Sequence, residues 1–320
     1  MLKKFLTKSL ALLAFGAPIV MAADFPNAPI HMVIPFAAGG NTDIAGRLIS
    51  KALSEELGQP VVIENKAGAG TRVATAYMTK AKPDGYTLMM TTIAIAVNPH
   101  LDKNPKYNYR NDFEPVASVF LNPLILTANP SVSASTLPAF VDWLKANKQT
   151  PYGSAGNGSA MHLAGEAFRQ YTNTDVMHVP YGGESKVLVD LMGGQVLFAF
   201  TGVASSAEYI KSGKLKGIAY AGPNRSPLMP DLPTAKEQGL TDFTAYTWGV
   251  VLAPKGTPSD VVNKLNAALN IALKKPEVQQ RLIELGFEPI ADSTPQSTDK
   301  FIVEETQKWG KVVGNSGLVK

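Results

Sequence analysis

The 320-residue chain is predicted to be an α/β protein of two lobes, two mostly parallel sheets flanked by helices and joined by two hinge strands. Three observations predict it. Short β-rich runs alternate with helical periodicities; the alternation restarts after a long β-like run, Val116 to Asn129; and a second such run, Phe243 to Ala253, precedes a purely helical tail. If the chain leaves a first lobe near residue 125 and returns near 250, residues 23–125 and 250–320 form that lobe and residues 126–249 the other.

The amino terminus comes first. Lys3, Lys4 and Lys8 precede an apolar stretch from Leu10 to Val20, then small residues at Ala22 and Ala23 before the first acid, Asp24. That order reads as a cleavable signal peptide over residues 1–22 and implies export. The apolar stretch is shorter than the ~20 residues a spanning helix needs. Taking those three lysines from the 30 basic residues leaves 27 against 26 acids, a formal charge of +1, and no basic cluster remains to hold nucleic acid. There is no cysteine, which excludes thiol chemistry, disulfides and a lipid-modified cysteine anchor.

In the first lobe Ile30 to Phe36 reads as a strand. Gly39 and Gly40 break it, Asn41 or Thr42 caps a helix, and Gly58 with Pro60 ends that helix. Val61 to Glu64 is a strand, Arg72 to Ala81 a helix and Tyr86 to Thr91 a strand. In the second lobe, helices are expected at Leu137 to Lys148, Met161 to Gln170, Ser185 to Met192 and Ala204 to Lys211. Its strands are expected at Pro151 to Ser154, Val176 to Pro180, Leu197 to Phe200 and Leu215 to Ala221. The tail holds helices at Val261 to Lys274, Glu277 to Leu285 and Thr298 to Val313.

Two glycine-rich loops each lead from a strand into a helix. The first is Phe36-Ala37-Ala38-Gly39-Gly40-Asn41-Thr42-Asp43; the second is Gly153-Ser154-Ala155-Gly156-Asn157-Gly158-Ser159. A helix start leaves about four N–H groups without intrahelical partners and carries partial positive charge, so it receives anions. Glycine lets a ligand approach that backbone, and ligands of open α/β sheets sit beyond the carboxyl ends of strands, where both loops lie. One loop per lobe, facing across a cleft, suits a carboxylate; a plain strand-to-helix turn is the competing reading of either loop alone.

Neither loop completes a nucleotide motif. Gly153 and Gly158 have P-loop spacing, but Ser159 and Ala160 stand where Lys and Ser or Thr are required. There is no G-x-S-x-G elbow and no H-E-x-x-H pair, and His31, His100, His162 and His178 show no metal-ligand spacing. No cofactor or metal is expected. Candidate ligand groups outside the loops are His162, in the first turn after the second loop; Arg72, which follows Gly68 and Gly70 and could grip a carboxylate or simply sit on the surface; and Thr92 and Thr201 at strand ends. Trp248 reads as hinge core or pocket wall.

The chain resembles the periplasmic receptors of tripartite tricarboxylate transporters, the Bug-type proteins, along nearly its whole exported length. The resemblance runs through Val33-Ile34-Pro35-Phe36 with Gly39-Gly40 and Thr42-Asp43, Glu64-Asn65-Lys66-Ala67-Gly68-Ala69-Gly70, and Pro83-Asp84-Gly85-Tyr86-Thr87-Leu88. It continues in Gly156-Asn157-Gly158, His162-Leu163-Ala164-Gly165-Glu166, His178-Val179-Pro180-Tyr181, Gly193-Gly194-Gln195-Val196, Leu252-Ala253-Pro254 and Trp309-Gly310-Lys311-Val312-Val313. It implies a two-lobed periplasmic-binding-protein (Venus-flytrap) fold, a monomeric receptor rather than an enzyme, and delivery of an organic acid to membrane permease subunits. By position it implies ligand contacts from residues 36–43 and 154–159, with Thr92 and Thr201 flanking.

The chain departs from many relatives in three places: Gly182 where they have lysine, Leu197 where they have an acid, and no further Asp near Thr201. Fewer acids near the cleft suggest a ligand without an amino group, a dicarboxylate, aliphatic or aromatic. Two other functions compete: a sensor feeding a signalling partner, and a hydrolase or isomerase on the same scaffold using a pair such as Asp43 with His162.

Overall fold

Alternation of buried side chains places the first sheet. In the computed structural model, which describes residues 25–102 and 105–317, β1 (Ile30–Ile34) turns Ile30, Met32 and Ile34 to one face and Val33 to the other, and both faces are covered. The signal segment expected over residues 1–22 lies outside the described residues. β1 pairs in parallel with β2 (Val61–Asn65) and β3 (Thr87–Thr92). Helices α1 (Asn41–Leu57) and α2 (Arg72–Met78) follow β1 and β2. After β3 come α3 (Ala94–Leu101) and the short α4 (Tyr109–Asp112). Sequence periodicity did not reveal α3, which carries Pro99 inside it and packs through Ile95, Ala96 and Val97.

β4 (Phe113–Ala128) serves both sheets. Its first part, Phe113 to Pro123, pairs antiparallel with β9 (Tyr246–Pro254), which in turn pairs antiparallel with β3. Its last part, Leu124 to Ala128, pairs antiparallel with β7 (Phe198–Gly202) and β8 (Lys216–Tyr220). β7 continues in parallel to β5 (Thr150–Ser154) and on to β6 (Val176–Pro180). The two expected sheets are therefore joined by hydrogen bonds along one strand, and the joining strands run antiparallel to the ladders they enter. Helices α5 (Leu137–Ala146), α6 (Ala160–Thr172), α7 (Glu184–Met192) and α8 (Val203–Lys211) flank the second sheet.

The tail packs back on the first sheet. α9 (Ser259–Lys274) and α10 (Pro276–Glu284) place Val261, Leu265, Leu269 and Leu282 against Ile30 and Leu88, and β10 (Glu288–Pro289) pairs with β4. α11 (Pro295–Gly314) lays Ile302, Trp309 and Val313 on the opposite face with Val33 and Met89. The second lobe has its own aromatic core, in which Phe168 meets Phe198, Phe200 and Phe243 edge-on.

One packing device recurs. A side chain on Gly46 in α1 would meet Ile34 Cδ1 at 2.2 Å, and one on Gly165 in α6 would meet Tyr152 at 2.2 Å. The helix after each glycine loop thus lies on its preceding strand at a glycine. That close approach fixes where both helix starts point.

Candidate functional site

α1 begins at Asn41 with Gly40 as its N-cap and no side-chain cap. The expected capping by Asn41 or Thr42 is therefore corrected. Its place is taken by Asp43, whose Oδ2 accepts from Gly39 N–H at 2.9 Å and from Arg47 Nε at 2.9 Å, while Oδ1 accepts from Asn65 Nδ2 at 2.7 Å. Asn65 Nδ2 also donates to the Phe36 carbonyl at 3.0 Å, tying the loop to β2. Burial opposes ionisation of Asp43, but the donors from Arg47, Gly39 and Asn65 outweigh it and hold the carboxyl below its ordinary range. Ala37 to Asn41 remain exposed, their backbone open to a ligand.

The second loop is held by neutral groups. Ser159 caps α6, its Oγ accepting from His162 N–H at 3.2 Å, and His162 Nδ1 accepts from Gly158 N–H at 3.0 Å. The His162 ring stacks on His178 with centroids 3.6 Å apart, and His178 Nε2 shares a 2.6 Å hydrogen bond with Ser154 Oγ. Burial and the neighbouring His178 push His162 down to about 4, and burial lowers His178. His162, a candidate ligand group, has a buried ring whose Nδ1 accepts a bond from its own loop. His178 anchors that loop.

A cavity of about 190 Å³ lies between these helix starts. Asn41 lines it from the first lobe; Ala155, Ser159, Ala160 and Met161 line it from the second. A third helix start, expected as a helix near Ala204 but not as part of the site, closes it: Gly202 is the N-cap of α8, and Val203, Ala204 and Ser205 line the wall. Asn122 and Leu124 of β4, Thr247 of β9 and Leu285 after α10 complete it, together with Glu184 at the start of α7. Glu184 Oε1 accepts from Gly202 N–H at 2.6 Å and from Ser205 Oγ at 2.6 Å. Among the described residues no Lys, Arg or His lines the cavity.

Several expected ligand groups lie elsewhere. Arg72 does not reach the cavity: its Nε and Nη2 engage Asp102 Oδ2 at 2.8 and 2.7 Å and its Nη1 donates to the Ala69 carbonyl. Thr201 is fully buried and its hydroxyl shares a 2.7 Å bond with Thr127 Oγ1. Thr92 is buried at the end of β3 opposite Gly249. Trp248 is core, fully buried with Nε1 donating to Glu305 Oε2 at 2.9 Å. The Asp43 and His162 pair, imagined as acid and base, is separately committed to two different loops. The lysine absent at position 182 has a neighbour in its place, since Lys186 Nζ lies 3.7 Å from where a Gly182 side chain would begin.

Glu184 could have been suspected from Gly182-Gly183-Glu184, a third glycine-led helix start, had that pattern been weighed. Its placement beside Gly202 needed the tertiary fold. It puts an acid in the wall of this cavity.

Comparison with known proteins agrees with the geometry. Residues 45–318 match the model of a family described as tripartite tricarboxylate transporter family receptor. Protein BugT of Bordetella pertussis is 35% identical over 311 residues, covering 96% of this chain and 95% of that one. The structure of a Rhodopseudomonas palustris protein with adipate superposes with a TM-score of 0.76 at 30% identity, covering 92% of this chain and 99% of that chain. MatC from the same organism, with bound malate, gives 0.70 at 32% identity, covering 90% and 100%.

Proposed function

We propose that this chain, which belongs to the tripartite tricarboxylate transporter receptor family, works in the periplasm, where it closes two lobes on one small organic carboxylate and delivers it to the transporter's membrane subunits. The family is one of receptors, not enzymes. The observation that carries the reading is that Asn41 of the first loop and Ser159 of the second line one cavity, so two helix starts converge on the same space from opposite lobes. Each helix-start contact to an anion contributes roughly 0.3–1 kcal/mol, more where water is excluded. The adipate and malate of the two solved relatives support a dicarboxylate of a few carbons.

In this reading the chain crosses between lobes at Leu124, where β4 changes partners, and at Ala245, whose carbonyl accepts from Leu124 N–H at 3.0 Å. Closure is then a rotation about two adjacent strands. Contacts already span the gap: Tyr220 OH donates to Glu288 Oε1 at 2.5 Å, and Gln170 Nε2 donates to the Val312 carbonyl at 3.1 Å.

Calorimetric titration with small carboxylates tests the reading. Gly40 has φ of −76°, and a side chain there would first meet the Ala37 carbonyl oxygen at an ordinary 3.6 Å. Gly40→Val is therefore expected to fold normally and to lose ligand binding by obstructing the loop. Wild-type affinity in this variant would refute the two-loop clamp.

A further inference from the structure

We infer that Glu184 selects the ligand, and that the cleft takes a small carboxylate carrying an ammonium group held against Glu184 Oε2. The inference rests on the carboxylate-receptor reading above and names the class of acid. Among the described residues Glu184 is the only charged side chain in the cavity wall. Its Oε1 is pinned by Gly202 N–H and Ser205 Oγ, both at 2.6 Å, whereas no hydrogen bond to Oε2 is made from the described residues. A side chain on Gly202 would begin 3.4 Å from Oε1 and 3.6 Å from Oε2, so the carboxylate lies flat on the start of α8.

That position divides the cavity electrostatically. At the start of α8 the Glu184 carboxylate already takes a backbone donor and offsets the positive end of the helix. At the starts of α1 and α6, Asp43 takes Gly39 N–H and Ser159 Oγ takes His162 N–H, while Asn41, Ala160 and Met161 line the wall. A ligand carboxylate is directed to those two starts. Beside Glu184 a second carboxylate meets like charge with no Lys, Arg or His in the wall to offset it. An ammonium group there gains a charge-assisted hydrogen bond to Oε2 and neutralises the cavity.

Ser205 Oγ and Ser206 Oγ also bond to the Gly202 carbonyl, at 2.9 and 2.6 Å. The turn into α8 is thus held without Glu184, and the carboxylate is free to act on the ligand.

The test compares matched acids that differ in one group, by calorimetry on the exported chain: succinate, malate and aspartate, then glutarate and glutamate. Wild type is expected to bind an amino acid of either series at least about tenfold more tightly than its unsubstituted partner, with malate between. Glu184→Gln keeps an oxygen for Gly202 N–H but turns an N–H donor toward the ligand. It is expected to cancel or reverse that ratio while its melting temperature stays near wild type. An unsubstituted acid bound as tightly as its amino partner, or a ratio unmoved by Glu184→Gln, overturns the role of Glu184 and leaves the carboxylate receptor standing. Binding of none of the five acids overturns the carboxylate reading and this inference with it.

Discussion

The two glycine loops perform one geometric task with opposite chemistry. The first, Phe36 to Asp43, is braced by a charged network in which buried Asp43 collects donors from Gly39, Asn65 and the exposed Arg47. The second, Gly153 to Ser159, is braced by two stacked imidazoles and Ser154, with His162 accepting from Gly158 N–H. A carboxylate brace works only when ionised, and an imidazole acceptor works only when neutral. The loops should therefore fail under different conditions, and that difference can be broken or sharpened by experiment.

The largest expected effect is His162→Ala. It removes a buried ring from the stack and leaves Gly158 N–H without its acceptor, costing about 3 kcal/mol. Melting should fall by roughly 6 °C or more, with loss of ligand binding. A variant melting like wild type would show that the stack does not brace the loop.

Next is pH. His162 is pushed from its ordinary value of 6.5 to about 4, chiefly by burial and then by His178. Its folded-state value lies below the unfolded one, so its contribution is full above about 6.5 and is lost as pH falls toward 4. Wild type should lose roughly 2–3 kcal/mol across that window, and His162→Ala should show a flatter profile. A His162 ring titrating near 6.5 by NMR would erase the contrast between the loops.

The smallest effect is Asp43→Asn, expected to cost roughly 1–2 kcal/mol because one of the carboxylate's acceptor positions becomes a donor facing donors. Asp43 has a lowered folded-state value, so its contribution holds until pH falls below the ordinary value of 3.8. A stability difference between Asp43→Asn and wild type that disappears between pH 6.5 and 4 would place the charged brace in the wrong loop.

Much of the scaffold was legible along the chain. β6 falls on Val176 to Pro180 as expected, and most other strands and helices shift by only a few residues, because each is an apolar run bounded by glycine or proline. α3 was not, since its first turn is wholly apolar and Pro99 interrupts the rest, leaving no amphipathic period. Of the expected site residues, Asn41, Ala155 and Ser159 line the cavity, and the others brace the loops or stand apart. Arg72 stayed open between ligand and surface because a free guanidinium and one spent on Asp102 look alike in sequence.

By itself, the sequence determined the α/β order, the strand-to-helix glycine loops and the resemblance to a receptor family, because these depend on local conformational preference and spacing. Only the tertiary structure decided what faces the ligand. Glu184 meets Gly202 from 18 positions away, His162 stacks on His178 across two elements, and α8 adds a third helix start to the wall. Partners of that kind are chosen by packing of distant segments, and hydrogen bonds between them leave no period in the chain.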